Sequence, residues 1–385
     1  MRILMISDVY FPRINGVSTS IKTFREELTE LGHEITLIAP GYPNHTETDP
    51  AVIRINSRYL FFDPEDRLMK RKLISSLKHE LKNKEFDVLH IQTPFMAHYA
   101  GIELSKTLNI PRVVTYHTHF EEYLTHYFPF VPKRFVRSAA RWFNRHQCND
   151  VDSVIVPSTA MLDILKDYEI HKPIEIIATG IDERFFKPGN GQQFREKHNI
   201  EANRQVLVHI GRLAHEKNID FLLNMMVQLK KTNPEVLLVI AGEGPAKEHL
   251  VKLSKSLDIE NNVRFVGYLD RETTLLDCYC AGDIFIFASK TETQGLVLLE
   301  AMAQKVPVVS LAILGTKDIL DAGKGVIVAE EDIHDFANKV DQLLKSPEQR
   351  AKLSAEAYDY ARTWSSRAFA EKKQNFYEKA IEQYH

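Results

Sequence analysis

Two glutamates that flank a single glycine are the residues of this sequence whose types and spacing most directly suggest chemistry. Glu292 and Glu300 stand eight positions apart, with Gly295 between them, in the run T-E-T-Q-G-L-V-L-L-E. The apolar run 284–288 before them predicts a buried strand. The run 296–304, which is rich in Leu, Ala and Met, predicts a helix that begins beside the glycine.

The start of such a helix is an anion site, because its first N–H groups have no partners within the helix. Two carboxylates there would repel a phosphate, but they can accept hydrogen bonds from the hydroxyl groups of a sugar beside it. The pattern therefore indicates a site for a sugar attached to a diphosphate. The alternative is that Glu292 and Glu300 are solvated side chains on an exposed turn.

A second charged segment follows the strand predicted at 205–210 and supplies Arg212 and Lys217. Cleavage of a sugar–diphosphate bond develops negative charge on the leaving phosphate, and fixed cations stabilise that charge. Arg212 offers a planar fork of donors and Lys217 a mobile point charge. We expect both to face the helix start at Gly295. The alternative for Arg212 is a structural ion pair with Glu216.

The elements that must position these residues alternate between strands and helices, which predicts mostly parallel sheets with ligands at the carboxyl ends of the strands. Predicted strands in the first half are 2–6, 34–39, 87–91, 112–116, 153–156 and 174–177. Predicted strands in the second half are 205–210, 236–241, 263–266, 284–287 and 306–309. Predicted helices include 18–31 and 218–231, and the polar, turn-rich run 187–193 is a candidate linker between the halves.

Composition excludes several other classes of protein. A chain of 385 residues is long enough for two domains, and its net charge of −3 argues against general nucleic-acid binding. No apolar run approaches the length of a membrane span. The three cysteines, Cys148, Cys278 and Cys280, form no disulfide framework and lack zinc-site spacing, which indicates a reducing cytoplasm. Neither half carries the motif G-x-G-x-x-G, which argues against a dinucleotide oxidoreductase. The related run G-E-G-P at 242–245 lacks the third glycine, and it is either a backbone turn near the nucleotide or a turn with no such role.

Four motifs in the correct order resemble those of the retaining GT-B glycosyltransferases of family 4. Glu292 to Glu300 matches the family's E-x7-E motif, and 211–217 resembles its G-R-x-x-x-x-K diphosphate-binding segment. Asn15-Gly16-Val17 resembles its N-terminal glycine loop, and 179–182 resembles its N-G-V-D hinge with Thr in place of Asn. The resemblance implies an α/β protein of the GT-B type, with two facing Rossmann-like domains at 1–185 and 186–365. It also implies that the last helix, with residues 366–385, crosses back to the first domain.

The resemblance further implies roles for individual residues. Glu300 would bind the ribose of the nucleotide and Glu292 the donor sugar, while Gly16 would let the backbone approach the diphosphate. The donor site would comprise Gly16, Arg212, Lys217, Glu292, Thr293, Gln294, Gly295 and Glu300, and the catalytic groups would be His117, Arg212, Lys217 and Glu292. Neither a cofactor nor a metal is expected, because enzymes of this type bind the diphosphate without a divalent ion. A competing hypothesis is a zinc site formed by His117 with His119 and His126.

The acceptor is indicated by two features of the first half. The segment 115–127 resembles the T-Y-H-T-x-x-E-x-Y segment of bacterial diacylglycerol glucosyltransferases. The run 292–295 resembles the same branch of the family, because it has Gln294 before the glycine where many other family members have Phe. The run 132–146 predicts a basic amphipathic helix of the kind that binds an anionic membrane surface. Its proposed membrane-contacting residues are Lys133, Arg134, Arg137, Arg141, Trp142 and Arg145. The alternative is that the helix packs its apolar stripe, which includes Phe135 and Trp142, on its own core.

The expected function is therefore that of a retaining hexosyltransferase in glycolipid synthesis. We expect it to move glucose from UDP-glucose to the 3-hydroxyl of diacylglycerol, as a cytoplasmic protein bound peripherally to the inner face of the plasma membrane. Two alternatives remain open. One is a GDP-mannose-dependent mannosyltransferase acting on phosphatidylinositol or a soluble glycan, and the other is a sugar-nucleotide binding protein without turnover.

Overall fold

The computed structural model describes residues 1–59, 67–117 and 133–385, and for Lys133 it describes the backbone alone. The chain divides into two compact units. Unit 1 comprises Met1–Gly180 together with Ser366–His385, and unit 2 comprises Ile181–Ser365. Within the described residues, no helix is long and apolar enough to cross a membrane.

Unit 1 is built on a parallel sheet of seven strands. Its strands are β1 (Arg2–Ile6), β2 (Glu34–Pro40), β3 (Val52–Ile55), β6 (Val88–Ile91), β7 (Arg112–Thr115), β8 (Ser153–Val156) and β9 (Ile174–Ile176), and β4 (Ser57–Tyr59) and β5 (Arg67–Met69) form a separate antiparallel ribbon. The described helices are α1 (Gly16–Glu30), α2 (Arg71–Ser76), α3 (Lys78–Lys82), α4 (Met96–Leu108), α5 (Lys133–Asn149), α6 (Thr159–Asp167) and the final helix of the chain (Ser366–Tyr384).

The strand order of this sheet is β3-β2-β1-β6-β7-β8-β9, so the direction of winding reverses between β1 and β6. Loops that leave the carboxyl ends of strands on either side of such a switch point diverge and leave a crevice between them. Asp8 follows β1 and Gln92 follows β6, while His117 comes two residues after β7. Unit 1 therefore presents these polar side chains at one edge of its sheet.

The final helix belongs to unit 1 because its residues pack on α1 and the sheet. Tyr377 is fully buried, and its hydroxyl lies 2.6 Å from Nδ1 of His90 on β6. Nζ of Lys373, which is also buried, lies 3.0 Å from the centre of the Phe24 ring on α1. The hydroxyl of Ser366, the first residue of the helix, donates a hydrogen bond to Glu27. The core on this face of the sheet thus includes residues from both ends of the chain.

Unit 2 is built on a second parallel sheet, of six strands, in the order β12-β11-β10-β13-β14-β15. Its strands are β10 (Val206–Ile210), β11 (Leu237–Ala241), β12 (Val263–Gly267), β13 (Ile284–Phe287), β14 (Val308–Leu311) and β15 (Val326–Ala329). Its α-helices are α7 (Gly191–Lys197), α8 (Ile219–Thr232), α9 (Lys247–Ser256), α10 (Thr274–Ala281), α11 (Leu296–Ala303), α12 (Lys317–Leu320), α13 (Ile333–Lys345) and α14 (Pro347–Arg362), so the final helix of unit 1 is α15. Here the switch point lies between β10 and β13.

Alternating side chains of the central strands supply a core on each face of this sheet. Val208 and Phe285 lie in one cluster, and Leu238 and Ile286 lie in the other, all four fully buried. Strands that are buried on both faces have nearly continuous apolar sequences, which is why the runs at 205–210 and 284–287 are recognisable without structural data. The predicted α/β class with two parallel sheets is confirmed.

The strands that were not predicted from the sequence are short and lie at the margins of the sheets. β3 and β15 are four-residue edge strands, and the β4–β5 ribbon pairs strands of only three residues. The linker prediction for 187–193 is wrong, because the chain passes between units at Gly180 and Ile181. The N–H groups of Gly189 and Asn190 donate to the side chains of Gln304 (3.0 Å) and Asp277 (2.6 Å), which fixes the segment on unit 2. Polar, turn-forming composition therefore marked the start of α7 rather than a boundary.

The glycine turn after β11 packs closely against the loop that carries Arg212. Gly242 has a φ of +136°, and a Cβ atom there would stand 1.9 Å from the carbonyl oxygen of Gly211. The N–H of Leu213 donates to the carbonyl oxygen of Glu243 at 3.0 Å, and the N–H of Ala246 donates back to the carbonyl oxygen of Leu213 at 2.8 Å. A side chain at position 242 would therefore push the Arg212 loop away from the sheet.

We predict that Gly242→Ala lowers the free energy of unfolding by about 2–5 kcal/mol, since it combines backbone strain with overpacking against a backbone atom. The matched control is Gly323→Ala, which also has a positive φ (+64°) but has open space around the added methyl group. The control should cost about 1–2 kcal/mol, from strain alone. Urea unfolding of both variants measures the difference, and equal losses would show that the close approach to Gly211 is unimportant.

Candidate active site

The structure brings the charged residues predicted in unit 2 to the switch point of its sheet. Arg212 follows β10, and Lys217 ends a 3-10 turn, His215–Lys217, in the same loop. Glu292 lies in the loop between β13 and α11. The side-chain amide of Asn218 donates to the carbonyl oxygen of Ala288 at 3.1 Å, which ties the two loops together. The tie acts at the place where both loops leave the sheet.

Lys217 and Glu292 form the central ion pair of this site. Nζ of Lys217 lies 2.7 Å from Oε1 of Glu292, and the side chains are 22% and 21% exposed. Nη1 of Arg212 lies 3.8 Å from Oε1 of Glu216, so the structural pair considered for Arg212 is present, but it is a long contact. Each cation thus has a carboxylate neighbour, and each retains some solvent access. Partly exposed pairs of this kind contribute little to stability.

Gly295 starts α11 in a conformation that favours glycine. Its φ is +94°, and a Cβ atom there would stand 2.9 Å from the methyl group of Thr316. The N–H of Gly315 donates to the carbonyl oxygen of Glu292 at 3.0 Å, so the turn that follows β14 supports the backbone of the acidic loop. The helix start is thereby fixed three residues after Glu292, and the first N–H groups of an α-helix are a site for an anion. Thr293 and Gln294 form the turn between Glu292 and this helix start.

Glu300 is not a solvated side chain on an exposed turn, so that alternative is wrong for it: it is only 1% exposed, and both of its oxygens have partners. Arg271 forms an ion pair with Oε1, and the hydroxyl of Tyr279 donates to Oε2 at 2.9 Å. Burial opposes the charge on Arg271, but attraction to Glu300 outweighs it and raises the pKa of the guanidinium. Burial, followed by the charge of Glu300, raises the pKa of Tyr279 well above its ordinary value.

Arg271 and Tyr279 contact the candidate residue Glu300, and the sequence analysis missed both. They lie 29 and 21 positions before Glu300, on the segment between β12 and the end of α10, outside the recognised motifs. A ribose that reaches Glu300 must share the carboxylate with these two groups or displace one of them.

His209 is the next-to-last residue of β10. It is 1% exposed, and its Nδ1 lies 3.1 Å from the carbonyl oxygen of Ile286 on β13. Burial lowers the pKa of His209 to about 4, so the ring is neutral at neutral pH. The Nδ1–H tautomer satisfies the carbonyl of Ile286, and the ring cross-links the two strands that form the switch point.

His117 and Gly16 belong to unit 1. Nε2 of His117 lies 3.1 Å from Oε1 of Gln92, which orients the ring at the carboxyl edge of the sheet. Burial, reinforced by the positive charge of Lys373, lowers the pKa of His117 to about 3, so it is a neutral donor to Gln92. Gly16 is exposed at the first position of α1, and no described atom lies within 4 Å of the place its Cβ would occupy. Packing within unit 1 therefore gives no reason for glycine there.

Two buried networks hold this edge of unit 1. The first joins the final helix to β7, because Nε2 of His90 lies 2.7 Å from the hydroxyl of Thr115 and Nδ1 contacts Tyr377. The second is the carboxylate of Asp8, which accepts hydrogen bonds from the Thr93 hydroxyl (2.9 Å) and the Ala97 N–H (3.0 Å) at the start of α4. Burial raises the pKa of Asp8 to about 7, so these donors stabilise a carboxylate close to protonation.

The basic helix α5 packs a different stripe from the one considered in the sequence analysis. Its buried side chains include Val136, Ala140 and Cys148, whereas Phe135 is 56% exposed and Trp142 is 69% exposed. The exposed residues also include Arg134, Arg137, Ala139, Arg141 and Arg145. The helix therefore presents aromatic and cationic side chains to solvent together, and the alternative in which that aromatic stripe forms core is wrong.

Two of the three histidines of the zinc hypothesis, His119 and His126, lie outside the described residues. Among residues 1–59, 67–117 and 133–385, no group of three or more His, Cys, Asp or Glu side chains is arranged to hold a metal ion.

Two family models match the chain. The model described as Glycosyltransferase Family 4 matches residues 14–185, and the model described as Glycosyl transferases group 1 matches residues 190–360. The alpha-monoglucosyldiacylglycerol synthase of Streptococcus pneumoniae is 32% identical over 99% of this chain and 86% of its own length. The protein of the same name from Acholeplasma laidlawii is 30% identical over 98% of this chain and 96% of its own length.

Solved structures agree on the fold. The sucrose-phosphate synthase of Thermosynechococcus elongatus superposes with a TM-score of 0.80 at 20% identity, over 99% of both chains. The HepE protein of Anabaena in complex with UDP-glucose superposes with a TM-score of 0.77 at 16% identity, over 98% of this chain and 100% of that one. These likenesses confirm the GT-B fold with its two Rossmann-like halves.

The burial of Glu300 leads to a prediction about stability. Arg271→Ala should lower the free energy of unfolding by about 3–5 kcal/mol, because it leaves a carboxylate buried without its cation. The double variant Arg271→Ala/Glu300→Gln should recover part of this loss, since the uncompensated charge is removed. The control is Lys290→Ala, which breaks the exposed pair with Glu331 and should cost at most about 1 kcal/mol. Urea unfolding that gave Arg271→Ala and Lys290→Ala the same loss would contradict the prediction.

Proposed function

The chain belongs to the family 4 glycosyltransferases, and we propose that it is a retaining enzyme that transfers glucose from UDP-glucose to the 3-hydroxyl of diacylglycerol. The observation that carries the choice of a lipid acceptor is the solvent-exposed aromatic and basic face of α5. The relatives named for monoglucosyldiacylglycerol synthesis, which match almost the whole chain, support the same choice. The reaction would take place at the cytoplasmic face of the plasma membrane, to which the protein binds peripherally.

The donor diphosphate binds in unit 2, where the helix start at Gly295 supplies N–H groups and Arg212 and Lys217 supply charge. When the bond between the sugar C1 and the diphosphate oxygen breaks, positive charge develops on C1 and negative charge on the leaving phosphate. Fixed cations and oriented N–H groups stabilise that negative charge without reorganising during the reaction. The ion pair with Glu292 holds Lys217 near its working position before the donor arrives.

Glu292 and Glu300 hold different parts of the donor. Glu292, which is partly exposed beside the helix start, accepts hydrogen bonds from the sugar hydroxyls. Glu300 accepts from the ribose hydroxyls, and the neighbouring Arg271 and Tyr279 orient its carboxylate until they do so. His117 supplies a neutral ring that can bond a sugar hydroxyl. Gly16 leaves the first turn of α1 open to the diphosphate.

Retention requires that the acceptor oxygen attacks C1 on the face that the diphosphate leaves. In this proposal the C1–O bond to the diphosphate breaks as the bond to the acceptor forms, and the proton of the acceptor hydroxyl passes to a leaving phosphate oxygen. Charge and atoms balance with UDP and the α-glucoside as products. No protein nucleophile and no metal takes part in these steps.

A panel of donors and acceptors with lipid vesicles tests this function directly. UDP-glucose with diacylglycerol should give α-monoglucosyldiacylglycerol, identified by mass and by the anomeric coupling in its NMR spectrum. Product from GDP-mannose with phosphatidylinositol or a soluble glycan, and none from the first pair, would favour the mannosyltransferase alternative. UDP-glucose binding without product from any acceptor would indicate a binding protein.

We predict that Arg212→Ala and Lys217→Ala each lower kcat by about 10²–10³-fold, the typical loss for one preorganised contact to developing charge. Their thermal stability should change little, because both ion pairs are partly exposed. The control is Lys247→Ala, which removes a lysine that pairs with Glu243 at 2.7 Å beside the glycine turn after β11. Turnover should be close to the parent's in the control. Near-normal turnover in both site variants would remove the proposed phosphate role.

Membrane binding through α5 gives a further prediction. Arg137→Glu/Arg141→Glu should weaken binding to anionic vesicles by roughly 30-fold or more, since each basic residue contributes about 1 kcal/mol near such a surface. The control is Lys252→Glu/Lys255→Glu, which makes the same charge change at exposed positions on α9 in unit 2. Co-sedimentation with vesicles at low and high salt measures both, because salt screens the attraction. Equal weakening in the two double variants would show that net charge, and not α5, governs binding.

A further inference from the structure

A small cavity lies in unit 1 beside His117. Its volume is about 30 Å³, enough for one or two groups the size of a water molecule. The walls come from the chain that follows β6, from the end of β7 and from the buried side of α5. The polar side chains of these walls are Gln92, Thr93, Thr115, His117, Asn144 and Gln147.

Asn144 is the anomaly in this cavity. The residue is 1% exposed, and neither Oδ1 nor Nδ2 has a hydrogen-bond partner in the described part of the chain. A buried amide without partners costs free energy, and most buried polar side chains in proteins are paired. Two other amides that line the cavity follow that rule, because Nε2 of Gln147 donates to the carbonyl oxygen of Pro94 at 2.6 Å and Oε1 of Gln92 lies 3.1 Å from Nε2 of His117.

The fold gives no reason for an amide at this position. Asn144 stands in a stripe of α5 whose other members are spaced by four residues: Val136, Ala140 and Cys148, all buried. Burial raises the pKa of the Cys148 thiol to about 12, so it is a neutral group as well. An apolar side chain of similar volume would fill the position of Asn144 without an unpaired donor or acceptor.

Charged side chains are also absent from the described lining of the cavity. The described residues that line it include no Lys, Arg, Asp or Glu; burial raises the pKa of Cys148 and lowers that of His117, so both of these groups are neutral at pH 7. A phosphate or carboxylate placed there would be desolvated without a cation, at a high cost in free energy. A hydroxyl group can both donate to the Asn144 carbonyl oxygen and accept from its NH₂ group. The chemistry of the lining thus favours an uncharged ligand with hydroxyl groups.

We propose that this cavity is the subsite for the terminal hydroxymethyl group of the acceptor lipid, and that Asn144 is the residue that recognises its hydroxyl. The inference rests on the proposed function and deepens it, because it names the residue that recognises the hydroxyl of the acceptor. Asn144 and the exposed Trp142 lie two residues apart on one helix, with opposite environments. The same helix thus joins the surface that meets the membrane to the cavity that receives the glycerol end of the lipid.

Asn144→Leu is the principal test, because leucine has the same number of side-chain heavy atoms as asparagine and no hydrogen-bonding atoms. We expect the variant to raise the KM for diacylglycerol about 10–100-fold, while the Kd for UDP, measured by calorimetry, stays within twofold of the parent's. Its thermal midpoint should equal or exceed that of the parent, since a buried unpaired amide is removed. Gln147→Leu lines the same cavity but breaks the hydrogen bond to Pro94, and it should lower the thermal midpoint.

A second comparison uses the acceptor analogue that lacks the 3-hydroxyl, a 1,2-diacyl propanediol, as an inhibitor. The parent should bind diacylglycerol about tenfold or more tightly than the analogue, and Asn144→Leu should reduce this preference to near unity. An unchanged preference in the variant overturns the proposal, as does a KM for diacylglycerol within twofold of the parent's. If Asn144→Leu is unstable, Asn144→Ser replaces it and is judged by the same preference.

The two proposals fail in different ways. If the parent transfers no sugar to diacylglycerol, the proposed function fails. The subsite is then judged with the acceptor that the donor and acceptor panel identifies. An acceptor whose reacting group is charged, or a KM for that acceptor that Asn144→Leu leaves unchanged, overturns the subsite as well.

Discussion

The arrangement of unit 2 depends on one constraint, the reversal of strand order between β10 and β13. In a parallel sheet every strand ends at the same edge, and only at such a reversal do the loops after two adjacent strands turn away from each other. The loop with Arg212 and Lys217 and the loop with Glu292 are these two loops. The glycine turn after β11 and the turn after β14 then press on each loop from outside, through backbone contacts to Gly211 and Glu292.

The two ion pairs of this site, Lys217–Glu292 and Arg271–Glu300, differ in how deeply they are buried. The outer pair, Lys217 with Glu292, keeps about a fifth of each side chain exposed, so a ligand can compete for either partner at small cost. The inner pair is different, because Glu300 is 1% exposed and its cation can leave only if another donor replaces it. Hydroxyl groups of a ribose are such donors. The inner pair therefore favours a ligand that brings hydroxyls to Glu300, while the outer pair tolerates the charge of a diphosphate.

Much of this organisation could be predicted from sequence, for physical reasons that also explain the failures. Central strands such as β10 and β13 are largely apolar because both faces of the sheet are covered. Such a run can be recognised in the sequence without knowing which segments pack against it. Motif spacing placed Lys217 and Glu292 in the two correct loops, since each motif follows its strand directly. Arg271 was not predictable in this way, because its partner Glu300 is 29 residues away and no local pattern links them. The linker error at 187–193 has the same origin, since the side chains that fix that segment, Gln304 and Asp277, are distant in sequence.

Helix α5 shows most clearly where a sequence pattern stops being informative. A helical wheel identifies an aromatic stripe and a set of cations, but it does not say which side meets the core, because Val136, Ala140 and Cys148 form a second stripe that is equally able to pack. The structure buries that second stripe, which leaves Phe135 and Trp142 in solvent and carries Asn144 inward with the buried set. Burial of an aromatic residue stabilises a fold by far more than burial of alanine or cysteine, so exposing both aromatics sacrifices stability that the chain could have gained. The same helix also keeps an unpaired amide in its core. The helix thus departs from the most stable arrangement on both of its faces. Such departures are expected of an element that binds ligands. Here the outer face would meet the membrane, and the inner face would meet a polar group of the lipid.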